Sequence, residues 1–278
     1  MKKKTRVWHG ILGLLIAGVF LAGIADAKSP PEKDKIVIGQ AISLSGPLAG
    51  GVAISGGKVY ELWVDEVNKN GGIYVEEYGK KLPVELKRYD DKSDIGTMTN
   101  LLEKLILEDQ VDFVFPPWGT AWLFAAAPIA NKYGYILIGG PGGALKLKEL
   151  SLPYFFQVLN FSETQAPALA DIYKEVGVKS VAVVYRADLH GIEYGNAMVP
   201  YFKKKGIEVK LNKSYPPGIK DMSSLLKEAK SLNVDAFAAA CYPPGGMLLT
   251  GQSMELGINF NAFFLTVLPF SPPLFKGT

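Results

Sequence analysis

The feature that most restricts the fold of this chain is an alternation. Short β-branched and apolar runs exchange with segments whose apolar residues recur every three or four positions. A strand buried on both faces reads as a continuous apolar run, and a helix that covers it shows one stripe, so the alternation predicts parallel sheets sandwiched between helices. Strands are predicted at 36–42, 82–89, 111–115 and 135–138, then at 180–185, 207–211, 235–240 and 262–267, which makes two sets of four. Between them Val59, Leu62, Trp63 and Val67 keep helical spacing, as do Ile95, Met98, Leu102 and Leu105, and Leu169, Ile172, Tyr173 and Val176. Ser162 and Gln165 have capping-box spacing, Asp221 is placed to cap the stripe that starts at Met222, and Gly177 and Gly206 stand where helices should stop. Pro128 and Pro167 each require a kink or a late helix start. The expected class is α/β, with two Rossmann-like lobes of parallel sheet and a cleft between them.

The N-terminus carries a different pattern. Met1-Lys2-Lys3-Lys4-Thr5-Arg6, an apolar stretch from Ile11 to Ile24 and the small-x-small triplet Ala25-Asp26-Ala27 together match a cleaved secretory signal over residues 1–27. The apolar stretch of about fourteen residues is shorter than the roughly 20 that a spanning helix needs, so no stable membrane insertion is expected after cleavage. It contains no cysteine for lipid attachment. The expected location is periplasmic or extracellular.

The leader also biases the charge. It holds four of the 30 Lys and Arg residues and one of the 27 Asp and Glu residues, which leaves 26 of each sign behind. A neutral mature chain gives no electrostatic reason to propose nucleic acid or an anionic membrane as partner. Cys241 is the one cysteine, so no intrachain disulfide is possible, and of two histidines only His190 lies beyond the leader. Most zinc and serine-hydrolase constellations are excluded by that count. Asp90, Asp91 and Asp94 lack the spacing of a calcium loop and read as a turn and a helix cap. No cofactor and no metal are expected.

The segment Leu152-Pro153-Tyr154-Phe155-Phe156-Gln157-Val158-Leu159-Asn160 separates two α/β series and is apolar and extended, unlike a flexible linker. It reads as a hinge strand, giving a first lobe at 28–157 and a second at 158–278. In open α/β sheets ligands bind beyond the carboxyl ends of the strands. The loops so placed are Ser45-Gly46, Trp118-Gly119-Thr120 and Gly142-Gly143-Ala144. Thr120 begins a helix, where its hydroxyl and amide can face an anionic group or merely cap the helix. Gly142 and Gly143 allow close approach of backbone amides, although such a turn is often only a turn. Trp118 and Trp122 can wall an apolar ligand or pack in the core.

The order of segments resembles the solute-binding proteins of branched-chain amino acid-type ABC transporters, with the type 1 periplasmic binding fold. The resemblance rests on Lys35-Ile36-Val37-Ile38-Gly39 leading into Ser43-Leu44-Ser45-Gly46-Pro47, on Val67-Asn68-Lys69-Asn70-Gly71-Gly72-Ile73, on Tyr89-Asp90-Asp91, and on Val111-Asp112-Phe113-Val114 running to Thr120. Phe156-Gln157-Val158, the strand from Ser180 to Tyr185 and Ser214-Tyr215-Pro216-Pro217-Gly218 continue it. It implies a monomer that takes a small-molecule solute and docks on permease and ATPase subunits, with no catalysis. It further implies ligand contacts at His190, at Tyr242 and near Thr266 at the end of the last strand. Three departures matter. Ala144 stands where many relatives carry a hydroxyl, and no Asp or Glu follows Glu255, so the partner that amino-acid binders keep for an ammonium group is missing. Relatives also continue past this point, so the second lobe is expected to be incomplete. A sensory domain of the same fold, or an exported α/β enzyme, are the alternatives; Gly-x-Gly-x-x-Gly after the first strand, the P-loop motif and Gly-x-Ser-x-Gly are all absent.

Overall fold

A computed structural model of the chain describes residues 32–140 and 142–267. The leader at 1–27 and the tail beyond Val267 lie outside the described residues. The first half runs β1 (Ile36–Ile42), α1 (Ala49–Ser55), α2 (Gly57–Lys69), β2 (Ile73–Val75), β3 (Lys80–Leu82), β4 (Val84–Asp90), α3 (Ile95–Leu107), β5 (Phe113–Val114), α4 (Thr120–Lys132), β6 (Leu137–Gly139), α5 (Lys146–Glu149) and β7 (Phe155–Gln157). The second runs α6 (Ser162–Glu175), β8 (Ser180–Arg186), α7 (Leu189–Lys204), β9 (Glu208–Tyr215), α8 (Ser223–Ser231), β10 (Ala236–Ala240), α9 (Pro243–Glu255) and β11 (Ala262–Leu265).

The second half realises the predicted four-stranded parallel sheet, in the order β11-β10-β8-β9. Its centre is β10, five small or apolar residues buried on both faces. Ala236, Ala238 and Ala240 face a core with Tyr173, Met198 and Phe202, while Phe237 and Ala239 face one with Leu226, Leu249 and Phe260. Strand β9 extends past its predicted end and bulges at Lys210, opposite Val181 and Ala182 of β8.

The first half departs from the predicted set of four. Only β4-β1-β5 form one parallel sheet, with Ile36 opposite Val84 and Ile42 opposite Asp90. Strand β5 is two residues long, because Pro116 and Pro117 follow it closely and supply no N–H to a ladder. Strand β6 pairs instead with β7, in parallel register Leu137 to Phe155. The segment read as a hinge is therefore a sheet strand at its centre.

Local signals are met unevenly. Asp94 caps α3 by accepting from Thr97 N at 2.7 Å, and Asp188 caps α7 by accepting from Gly191 N at 3.0 Å. Gly177 and Gly206 adopt φ of +81° and +73° just beyond α6 and α7, as helix stops that only glycine accepts readily. The capping box at Ser162 and Gln165 does not form: Ser162 is already helical after Phe161, and Gln165 Nε2 donates to Asn160 O. Helices α4 and α6 run through Pro128 and Pro167. On α2 the stripe Val59, Leu62 and Trp63 faces solvent, and Val64 is the side chain buried towards the sheet.

Candidate functional site

The carboxyl ends of the strands from both halves converge on a cavity of about 330 Å³. Strand β1 brings Ile42, the loop after β5 brings Pro116 and Trp118, α4 begins with Thr120, and Gly142 and Gly143 follow β6. From the second half α7 brings His190 and Tyr194, the end of β10 brings Tyr242, and Thr266 follows β11. Among the described residues, none that lines this cavity carries a formal charge at neutral pH.

Tyr242 crosses between the halves. It follows a strand of the second sheet, yet it packs in the core of the first half beside Trp118 and Trp122. Its ring lies 5.2 Å from Trp118 and 4.9 Å from His190, and the Arg186 guanidinium sits 5.0 Å above it. The Tyr242 hydroxyl accepts from Thr120 N at 3.2 Å, and Thr120 Oγ1 accepts from Gly143 N at 3.4 Å. Thr120 is thus the first helical residue and not a side-chain cap; the cap position is Gly119, at φ +109°.

The opposite wall is set by Thr266. Its hydroxyl donates to Cys241 O at 2.8 Å and accepts from Cys241 N at 3.0 Å, which ties β11 to the end of β10. The same oxygen lies 3.3 Å from His190 Nε2. Since the hydroxyl hydrogen is already used, the imidazole donates, and Nε2 carries its proton. Burial lowers the His190 pKa to about 4, so the ring is neutral at physiological pH. Burial also pushes the Cys241 thiol up to about 12, which removes it as a nucleophile.

The residues singled out in the sequence divide into two groups. Trp118, Thr120, Gly142, Gly143, His190, Tyr242 and Thr266 all line the cavity. Ser45, Gly46, Gly119 and Ala144 do not. Ser45 Oγ donates to Asp90 at 2.6 Å, and a Cβ at Gly46 would meet Lys92 O at 2.6 Å, so this turn packs on the Asp90–Ser93 loop. Ala144 is fully buried behind its loop. Gly119 stands one position behind the wall, where a Cβ would meet Trp122 and the Tyr242 hydroxyl at 3.5 Å. Tyr60, Gln165 and Tyr194 line the cavity without having been singled out. Tyr194 had a signal: it lies four residues after His190, on the same face of α7, and the rings are 4.7 Å apart. Tyr60 and Gln165 arrive by tertiary packing alone.

The acidic cluster is engaged locally, apart from Asp91 Oδ2, which is buried without a hydrogen-bond partner. Asp90 accepts from Leu44, Ser45 and Lys92, Asp91 from Ser43 and Ser93, and Asp94 caps α3 with its carboxyl held low by the Thr97 N–H. Among the described residues no group of three His, Cys, Asp or Glu could hold a metal ion, and no helix is long and apolar enough to cross a membrane.

Two parallel α/β halves with a cavity at their facing strand ends define the class of type 1 periplasmic binding folds. The chain belongs to the periplasmic binding protein family, whose model matches residues 35–276. It is 26% identical to Leu/Ile/Val-binding protein homolog 7 of Brucella suis, over 91% of this chain and 62% of that one. An uncharacterised protein of Methanocaldococcus jannaschii is also 26% identical, over 77% of this chain and 52% of its own length. Among solved structures, the chain superposes with TM-score 0.72 on a solute-binding protein of an ABC transporter from Rhodopseudomonas palustris, in complex with 3,4-dihydroxybenzoic acid, at 22% identity over 84% of this chain and 61% of that one. The branched-chain amino acid transporter substrate-binding protein of Streptococcus pneumoniae, in complex with isoleucine, gives 0.72 at 23% identity, over 83% and 64%. The chain thus spans between half and two thirds of the length of these relatives.

Proposed function

We propose that this chain is the extracytoplasmic substrate-binding component of an ABC importer, with lobes at 28–157 and 158–278 that close by hinge bending on a small solute. The solute is read as an organic or aromatic acid or amide, with a flat apolar body and one accepting group. The observation that carries this reading is the chemistry of the cavity wall. Trp118, Tyr194, Tyr242 and neutral His190 offer ring faces, while among the described residues no carboxylate lines the cavity to pair an ammonium group. Thr120, at the positive end of the thirteen-residue α4, offers an N–H for an acceptor, a place now held by the Tyr242 hydroxyl. Relatives of near-equal similarity are described with a hydroxybenzoic acid and with isoleucine, and the uncharged aromatic wall is what favours the acid in this reading. The family supports a small-molecule solute and work with an ABC transporter, and docking on permease and ATPase subunits as a monomer is part of this proposal.

A thermal-shift screen tests the reading. A ligand at a hundred times its dissociation constant adds about 2.7 kcal/mol of stability if it binds only the folded state. Hydroxybenzoates and related acids should raise the melting temperature while leucine, isoleucine and valine leave it unchanged. A shift from leucine alone would overturn the ligand class.

A further inference from the structure

Tyr242 also borders a second cavity, of about 380 Å³, on the other side of its ring. The first half contributes Pro47, Leu48, Ser93 and Trp122, and the second contributes Arg186, Tyr215, the turn from Pro217 to Lys220, Met222 and the Pro244–Gly245 pair at the start of α9. This cavity differs in chemistry from the first. Two of its side chains are more than nine-tenths buried and hold polar atoms with no hydrogen-bond partner: the indole N–H of Trp122 and the hydroxyl of Tyr215. A buried donor left unpaired costs about 1–3 kcal/mol, so two at one site call for an occupant. Arg186 reaches the same cavity. Its Nε lies 2.8 Å from Asp188 Oδ2 without a well-aligned hydrogen bond. Lys220 stands exposed at the rim. The charges that face the site are therefore two cationic and one anionic.

We propose that this second cavity is a binding site for a small carboxylate, distinct from the solute cavity and separated from it by the Tyr242 ring. Trp122 can only donate, and the Tyr215 phenol, which burial keeps protonated, is a second donor among the lining residues. The planar Arg186 fork matches a carboxylate, and Pro47, Leu48, Ile219 and Met222 accept a short alkyl tail. Gly245 leaves the room: a Cβ there would stand 2.9 Å from the Tyr215 hydroxyl.

The inference uses residues that do not line the first cavity, Tyr242 apart, so it stands or falls separately from the proposed solute. The test is calorimetric titration of the full mature chain with sodium propionate, with propionamide as the neutral control. Propionate should bind and propionamide should not, and both Arg186→Gln and Tyr215→Phe should weaken propionate about tenfold. Thr120→Val, at a residue that lines only the first cavity, should leave propionate binding intact. Tyr215→Phe removes one oxygen from a packed ring, so it retains the fold even if Arg186→Gln does not, and circular dichroism reports which variants are folded. No heat from propionate, equal binding of propionamide, retention of affinity in folded Tyr215→Phe, or loss in Thr120→Val would each overturn the assignment.

Discussion

Thr266 gives its one hydroxyl hydrogen to Cys241 O, and that choice fixes the chemistry of His190. The imidazole must donate through Nε2, and desolvation holds its pKa near 4 against 6.5 in the unfolded chain. Between these values the unfolded state binds a proton that the folded state refuses, so stability falls as pH drops through about 6.5 and levels off below about 4. Moving from pH 7 to pH 5 should cost about 2 kcal/mol through this residue alone, read as a drop in the urea midpoint that His190→Gln removes. An unchanged slope in His190→Gln would show that the ring is not held neutral. Gly191 is a second residue-scale test. A Cβ there would lie 2.0 Å from Arg186 O, a backbone atom that cannot swing away. Gly191→Ala should destabilise by at least about 2 kcal/mol in denaturant unfolding, whereas Ala at Gly177, where no atom lies within 4 Å, is strained only by its φ of +81°.

At the scale of elements, α7 matters most, since it presents both His190 and Tyr194 to the solute cavity. Its start depends on Asp188, which caps Gly191 N and faces Arg186. Asp188→Ala should cost about 2 kcal/mol, of which the cap is about 1, and Asp188→Asn should recover the cap share in the same measurement. Equal losses in the two variants would contradict the division. The elements themselves were largely legible. Unbroken runs such as Val181-Ala182-Val183-Val184 and Ala236 to Ala240 announce buried parallel strands, and Asp94 and Asp188 stand one residue before the helices they cap. Pairing was less legible, because β6 joins β7 through contacts that no local pattern records. The α2 stripe misled for a related reason: apolar spacing shows that a helix has a face, but only the sheet beneath selects Val64 over Leu62.

At the scale of the whole molecule the two halves are joined through Tyr242, rooted in one half and buried in the core of the other. The sequence placed Trp118, Thr120 and Tyr242 at strand ends and so near one another; it carried no sign that the Tyr242 hydroxyl would occupy the Thr120 amide, since that bond spans 122 residues. Nor could it show that the Ser45 hydroxyl is taken up by Asp90. Tyr242→Phe should cost about 1 kcal/mol in global unfolding and leave the Thr120 N–H open to a ligand, so affinity for an acid solute should rise while stability falls. A parallel loss of both would mean that the hydroxyl touches the solute directly. The central claim is that ring faces and uncharged donors between the halves hold an acid solute. Calorimetric titration of the mature chain with 4-hydroxybenzoate and with leucine, repeated on Trp118→Ala, tests it most directly. The account predicts one-to-one binding of 4-hydroxybenzoate that Trp118→Ala weakens about tenfold or more, and no heat from leucine. Tight leucine binding, or 4-hydroxybenzoate binding indifferent to Trp118→Ala, would contradict it.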